Sequence, residues 1–169
     1  MEDTHVLPDV LCRGLRLVFC GTAAGEMSAS RGAYYAGPGN AFWTTLHAVG
    51  FTPIRLVPDQ FRVLTEYGLG LTDIAKRRSG NDAVLRTTDF DVDGFRDKLK
   101  KYTPQAIAFN GKRAASVFFN CDTSSLAFGL QAGTSGPAVW VLPSTSGSAR
   151  AFWDIEHWKA LAASVSCST

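Results

Sequence analysis

The 169-residue sequence is notable first for what it does not contain. It has no run of about 18 apolar residues, so we expect no transmembrane helix. It opens with Met1, Glu2 and Asp3 and has neither the basic start nor the apolar run of a secretion signal. These absences predict a cytoplasmic protein that has no membrane partner.

Motifs for metals and nucleotides are also missing. Cys12, Cys20, Cys121 and Cys167 form no CxxC pair, and the 3 histidines form no HxxxH pair. Structural zinc and iron–sulfur clusters need such clustered ligands, so we expect no metal site and reduced, partly buried thiols. There is no GxGxxG and no Gly-Lys-Ser/Thr at P-loop spacing, which disfavours a nucleotide-binding fold. No cofactor is implied.

The composition itself indicates a globular domain. Hydrophobic residues make up 46% of the chain and charged residues 19%, so the chain can bury a core and is not disordered. The length suits one domain, and we see no repeat or linker, so we predict a single domain over residues 1–169. The net charge of +2 neither requires nor excludes a polyanionic partner.

Short apolar runs alternate with helical patterns along the chain. Buried strands are predicted at residues 15–20, 105–110 and 138–142. Helical patterns cover residues 40–49, 59–67, 92–102, 111–119 and 152–162. Residues 69–80 read as irregular, and residues 121–137 as a loop or an edge hairpin. The alternation predicts a parallel sheet covered by helices on both faces.

Two loops follow predicted strands, at residues 21–39 and 143–150. Ligands of such sheets bind at the carboxyl ends of the strands, so a site is expected between these loops. The first loop carries Tyr34 and Tyr35, and such an aromatic can either stack a base or pack beneath the loop. The second loop is small and polar and ends in Arg150, which can either bind a phosphate or be an ordinary solvated side chain.

Several ordered segments carry a family resemblance. They are LRLVFCG at 15–21, AGPGNAFW at 36–43, GFT at 50–52, GLTD at 70–73 and WVLPSTSGSAR at 140–150. Together they resemble the mismatch-specific uracil/thymine DNA glycosylases over nearly the whole chain. The resemblance implies an α/β fold, a three-layer α/β/α sandwich around a central parallel four-stranded sheet. It also implies a DNA repair enzyme that flips a mispaired or damaged base out of DNA and hydrolyses its N-glycosidic bond.

The substrate that the resemblance implies first is uracil opposite guanine in double-stranded DNA. Thymine, hydroxymethyluracil, hypoxanthine and etheno bases stay open, as does single-stranded DNA. No lysine stands in the two central motifs to act as an amine nucleophile, so we expect hydrolysis alone. A monomer is expected, associated with the nucleoid if the source is a bacterium.

The first family motif departs from its usual form in this chain. The family has a Gly-x-Asn-Pro-Gly turn whose Asn positions the attacking water, and here residues 21–25 read GTAAG. Ala23 stands in the Asn place, and a methyl group cannot orient a water molecule. The family's base-stacking aromatic falls on Tyr35. The base pocket implied by the resemblance comprises Gly21, Thr22, Ala23, Tyr35, Asn40 and Ser144.

The second family motif, Asn-Pro-Ser-Gly-x-x-Arg, fills the space that the flipped nucleotide leaves. It corresponds to residues 144–150, where Ser144 replaces the Asn and the small Ser148 occupies the wedge position. Arg150 is therefore the best remaining candidate for insertion. The DNA contacts that we expect involve Ser146, Gly147, Ser148, Arg150, Lys112 and Arg77.

The missing Asn directs attention to carboxylates. A carboxylate can activate water and stabilise the oxocarbenium-like sugar of the transition state. Asp73 is our catalytic candidate, because the matching family segment lies beside the active site. The alternative role for Asp73 is to cap a helix or to pair with one of the cations at 76–78. Glu26 is the second candidate for the catalytic carboxylate, and its alternative role is that of a solvated acid in the loop. The loss at Ala23 also motivates another function, a catalytically inactive module that binds uracil-containing or abasic DNA.

Overall fold

The computed structural model describes residues 4–166, so Cys167 and the start at Met1, Glu2 and Asp3 lie outside the described residues. One sheet runs through the described part in the order β2-β1-β3-β5-β4. Its strands are β1 Leu17–Gly21, β2 Leu69–Asp73, β3 Ala106–Asn110, β4 Gly129–Leu130 and β5 Ala138–Leu142. β1, β2, β3 and β5 pair in parallel, and β4 adds a two-residue antiparallel edge to β5. The predicted parallel four-stranded sheet is confirmed, with this fifth strand at its edge.

The α-helices form the outer layers. They are α1 Glu26–Arg31, α2 Phe42–Ala48, α3 Val92–Tyr102, α4 Lys112–Phe119 and α5 Ile155–Ser166. Alternate strand residues point to opposite faces of a sheet, and β1 shows the consequence. Phe19 packs with Phe42 of α2 and Trp158 of α5, whereas Val18 belongs to a second cluster with Phe95 of α3. Two hydrophobic cores therefore flank one sheet, as the predicted three-layer sandwich requires.

The prediction for residues 69–80 was wrong in its first half, because residues 69–73 form the fully buried strand β2. Gly70 interrupts the run of β-forming residues. Glycine is required at this position because a Cβ would lie only 2.7 Å from the Val10 carbonyl oxygen. Thr72 and Asp73 add polarity that a buried strand seldom has. A glycine needed for close backbone approach and two polar residues together hid the strand.

The loops hold more local structure than the sequence indicated. The loop at 21–39 contains α1, and the loop at 143–150 leads into a 3-10 helix at Gly147–Phe152. Further 3-10 helices span Pro58–Tyr67, Thr87–Asp89 and Thr123–Ser125. The segment 121–137 contributes the edge strand β4, in agreement with one of the two alternatives for it.

The remaining sequence expectations concern thiols, metals and membranes. Cys20 is buried in the core, while Cys12 and Cys121 are exposed, and all three are free thiols. Across residues 4–166, no three His, Cys, Asp or Glu side chains are grouped so that they could hold a metal ion. No helix in this part of the chain is long and apolar enough to cross a membrane.

Candidate active site

A cleft of about 1000 Å³ opens at the carboxyl ends of the parallel strands. Gly21, Asp73 and Asn110 end β1, β2 and β3 and all line it. The chain leaves β1 to form β2 on one side and later returns to form β3 on the other. Such a reversal of strand order separates the loops above the sheet and is the usual position of a ligand site in α/β proteins.

Most of the residues singled out in the sequence line this cleft. They are Gly21, Thr22, Ala23, Glu26, Tyr35, Asn40, Asp73, Lys112, Ser144, Ser146, Gly147 and Ser148. Arg150 is exposed, and its Nη2 atom would lie 3.2 Å from a Cβ on Gly39. Arg77 is exposed and is not among the lining residues. The fold therefore brings together both motif loops and both candidate carboxylates.

Hydrogen bonds of Thr145 join the second loop to the end of β3 and to the start of α2. Thr145 donates its backbone N–H to Asn110 Oδ1 at 3.0 Å, and Asn110 Nδ2 donates to Thr145 Oγ1 at 2.9 Å. The Thr145 carbonyl oxygen accepts the Ala41 N–H at 2.9 Å. Neither Asn110 nor Thr145 was predicted from the sequence as a site residue, although a polar Asn at the end of an apolar strand was a visible signal.

Backbone hydrogen bonds place the first motif beside the end of β2. Gly21 and Thr22 carbonyl oxygens accept the N–H groups of Ile74 and Ala75 at 3.0 and 2.7 Å. The Ala24 carbonyl oxygen accepts the Gly80 N–H at 2.9 Å. The turn that carries Ala23 and the segment that follows Asp73 are therefore held as one unit.

Asp73 is a buried carboxylate without a hydrogen-bond partner among the described residues. The residue is 5% exposed, and its Oδ1 lies so close to Gly21 that a Cβ there would be 2.7 Å away. Burial raises the pKa of Asp73 to about 6, although the charge of Lys76 opposes this rise. At neutral pH the carboxylate is ionised and has lone pairs free, which suits a proton acceptor.

Tyr35 brings a second unsatisfied oxygen to the same place. Its hydroxyl is buried without a partner among the described residues and would lie 3.4 Å from a Cβ on Gly21. Asn110 is its polar neighbour, but both ends of that amide are bonded to Thr145. The Tyr35 ring stacks on Phe42 with centroids 4.0 Å apart. A buried hydroxyl without a partner indicates a position where water or a ligand completes the site.

Lys76, three residues after Asp73, is paired in the protein interior. Lys76 is 7% exposed, and its Nζ lies 2.9 Å from Asp9 Oδ1 and donates to the Tyr34 hydroxyl at 3.1 Å. Lys76 is therefore not available to contact a phosphate. No ion pair involves Asp73 within residues 4–166, so the reading of Asp73 as the partner of a cation finds no support.

The sequence matches the model of the Uracil DNA glycosylase superfamily over residues 8–162. The chain belongs to this superfamily. Membership implies that DNA is the macromolecular partner and that the enzyme class is a DNA glycosylase.

A solved structure agrees with the superfamily fold. The chain is similar to the solution NMR structure of a protein from Methanosarcina acetivorans that is proposed to be a uracil DNA glycosylase. The two share 21% sequence identity with a TM-score of 0.62, over 95% of this chain and 96% of that chain. At this level of identity the similarity supports the fold alone. The chemistry of the site must be argued from the residues of this chain.

The two carboxylates of this superfamily member differ sharply in environment. Glu26 is exposed at the first turn of α1, where a negative charge is favoured by the helix dipole. Asp73 is buried at the strand end, against the first-motif turn. Glu26 thus has the surroundings of a solvated acid, whereas Asp73 has those of a carboxyl group whose pKa is raised by burial.

Proposed function

We propose that the protein is a monofunctional DNA glycosylase of the mismatch-specific uracil/thymine type, with Asp73 in the role of the missing motif Asn. Uracil opposite guanine is the proposed main substrate, and other damaged bases are secondary ones. The observation that carries this proposal is the buried, unpaired carboxylate of Asp73 beside Gly21, next to a turn in which Ala23 offers only a methyl group.

The proposed reaction uses Asp73 twice. As the glycosidic bond breaks, the bonding electrons leave with the base and the sugar becomes cationic, which a nearby carboxylate stabilises. Asp73 then accepts a proton from the water that attacks the sugar, leaving an abasic site. Asp73 Oδ1 and the Tyr35 hydroxyl oxygen both lie close to Gly21, and the attacking water is proposed to bind beside these two oxygens.

The proposed base pocket lies between the two motif loops. The target base stacks on the face of the Tyr35 ring opposite Phe42, within reach of Asn40 and Ser144 at the cleft wall. Asn40 is partly committed, since its Oδ1 accepts the Phe42 N–H at 3.0 Å. Its Nδ2 group is therefore the end available to a base oxygen.

The proposed DNA path follows polar and cationic groups around the cleft. Lys112 lines it at the start of α4, where a cation can meet a phosphate. The 3-10 helix at Gly147–Phe152 carries Ser148 and Arg150, and Ser146 caps it by accepting the Ser148 N–H. Arg77, exposed beyond β2, is proposed as an outlying phosphate contact.

Single-turnover cleavage of a duplex with one G:U pair tests the catalytic assignment. Alkali reveals abasic sites, and wild type is compared with Asp73→Asn and Glu26→Gln. A positioned general base contributes roughly 10²–10⁴-fold, so Asp73→Asn should lose that much rate while retaining DNA binding. Glu26→Gln, the matched control, should stay within about twofold of wild type because its carboxylate is solvated. Normal cleavage by Asp73→Asn would remove Asp73 from the mechanism.

A second candidate function rests on one residue. Ala23 provides no amide at the place where the family positions its water, which supports a module that binds uracil-containing or abasic DNA without cleaving it. The same assay separates the two functions. A wild-type protein that binds the G:U duplex and produces no abasic site in any uracil context is a binding module.

A further inference from the structure

Half of the exposed large hydrophobic side chains in the described part of the chain line the cleft. Six such residues are found in the described part of the chain, and Met27, Val84 and Phe152 line the cleft. Phe152 is the most exposed of the six at 71%. Exposed apolar groups that line a cleft indicate a contact surface.

Neither of the two residues expected to enter the DNA stack, Ser148 and Arg150, offers an apolar side chain. The Ser148 hydroxyl lies 2.9 Å from the Ser146 hydroxyl, within the turn that starts the 3-10 helix. The Arg150 guanidinium lies against Gly39 of the first loop. Phe152 ends the same 3-10 helix and is free in solvent. Of the three, it alone presents a large, rigid, apolar side chain.

We propose that Phe152 is the wedge of this protein, the side chain that enters the base stack beside the extruded nucleotide. Apolar side chains inserted at a base step unstack it, and an aromatic ring replaces part of the lost stacking with its own. Its position on the helix that carries Arg150 brings the wedge and a phosphate contact to the strand together. The inference rests on the proposed function in requiring DNA as the ligand, and it does not require cleavage.

Binding to a duplex that carries a tetrahydrofuran abasic analogue tests the wedge without any chemistry. The same oligonucleotide as a single strand has no stack to enter. Phe152→Ala should weaken binding to the duplex about tenfold, in line with the loss of one base–aromatic contact, and change single-strand binding less than about twofold. Phe152→Trp should restore duplex binding, because it keeps the aromatic face.

Leu130→Ala is the matched control, since Leu130 is 59% exposed on the edge strand β4 and does not line the cleft. It should bind both DNAs as wild type does. Fluorescence of a 2-aminopurine next to a target uracil should rise on binding of wild type and much less on binding of Phe152→Ala. Unchanged duplex binding by Phe152→Ala, or an equal loss on both DNAs, overturns the proposal.

Cleavage of the G:U duplex, measured with the same proteins, separates this inference from the proposed function. If the duplex-specific loss occurs and wild type does not cleave, the wedge stands and the catalytic proposal fails. If wild type cleaves and Phe152→Ala cleaves and binds equally well, only the wedge fails. If wild type binds neither DNA, both fail.

Discussion

Asp9 and Asp73 are two carboxylates near Lys76 with opposite environments. Asp9 accepts the Thr72 hydroxyl at 2.7 Å and pairs with Lys76 and Lys98 at 2.9 and 2.6 Å. Burial opposes its ionisation, but these partners outweigh burial and hold the pKa of Asp9 below its usual value. Asp73 is more deeply buried and lacks such partners, so burial dominates and raises the pKa of Asp73 to about 6.

The two neighbouring tyrosines repeat this contrast. The Tyr34 hydroxyl donates to the Pro8 carbonyl oxygen at 2.9 Å and accepts from Lys76, whereas the Tyr35 hydroxyl has no partner in the described part of the chain. Polar groups on the Asp9 side are satisfied by the protein and stabilise it. Those on the cleft side have no hydrogen-bond partner in the described part of the chain, which costs stability.

The largest effect that would test this contrast concerns the free energy of unfolding. Asp9→Asn leaves Lys76 buried without its anion, so we expect a loss of about 3 kcal/mol. Asp73→Asn should instead stabilise the protein at pH 7, on the order of 2 kcal/mol, because it removes a buried charge that lacks a hydrogen bond. Urea unfolding of both variants and wild type measures the two effects.

The pH dependence of stability checks the signs. The folded pKa of Asp73 lies above its unfolded value, so this group makes the protein less stable as pH rises from about 4 to 6. The folded pKa of Asp9 is lowered, so its contribution is present above the unfolded pKa and is lost as the pH falls through the lower folded value. Destabilisation at pH 7 by both substitutions would refute the contrast.

The next effect is on the rate of cleavage. If Asp73 must be ionised to accept a proton, the single-turnover rate should fall as pH drops through about 6, approaching tenfold per pH unit below it. DNA binding measured at each pH serves as the control. The residual rate of Asp73→Asn should lack this acid limb. A flat profile between pH 5 and 8 would argue against Asp73 as the base.

The smallest effect comes from removing one hydroxyl at a time. Tyr34→Phe loses two hydrogen bonds and should destabilise the protein by about 1–2 kcal/mol. Tyr35→Phe removes a hydroxyl that the protein leaves unpaired, so stability should stay equal or rise, while cleavage should fall severalfold if that hydroxyl contacts the attacking water. Equal stability losses in the two variants would mean that Tyr35 has a protein partner after all.

Local patterns predicted much of the fold. Apolar runs predicted β1, β3 and β5, and helical periodicity predicted α2, α3 and α4. Both patterns reflect residues close together in the chain and the side of each element that is buried, so they can be read from the sequence. β2 escaped because Gly70 and Asp73 are explained by contacts with Val10 and Gly21, which are distant in the chain. Because these long-range contacts determine the residue types at positions 70 and 73, the local sequence pattern does not indicate a strand.

The candidate site divides in the same way. The order of the motifs indicated the superfamily. The alanine at position 23 predicted that a carboxylate replaces the missing Asn. Both conclusions depend only on which residue types are present. Whether Asp9 or Asp73 pairs with Lys76, and whether the Tyr34 or the Tyr35 hydroxyl has a partner, depends on distances between residues far apart in the chain. Likewise, only the folded chain commits Lys76 to Asp9 and leaves Phe152 exposed beside the cleft, because burial and pairing are properties of the tertiary arrangement.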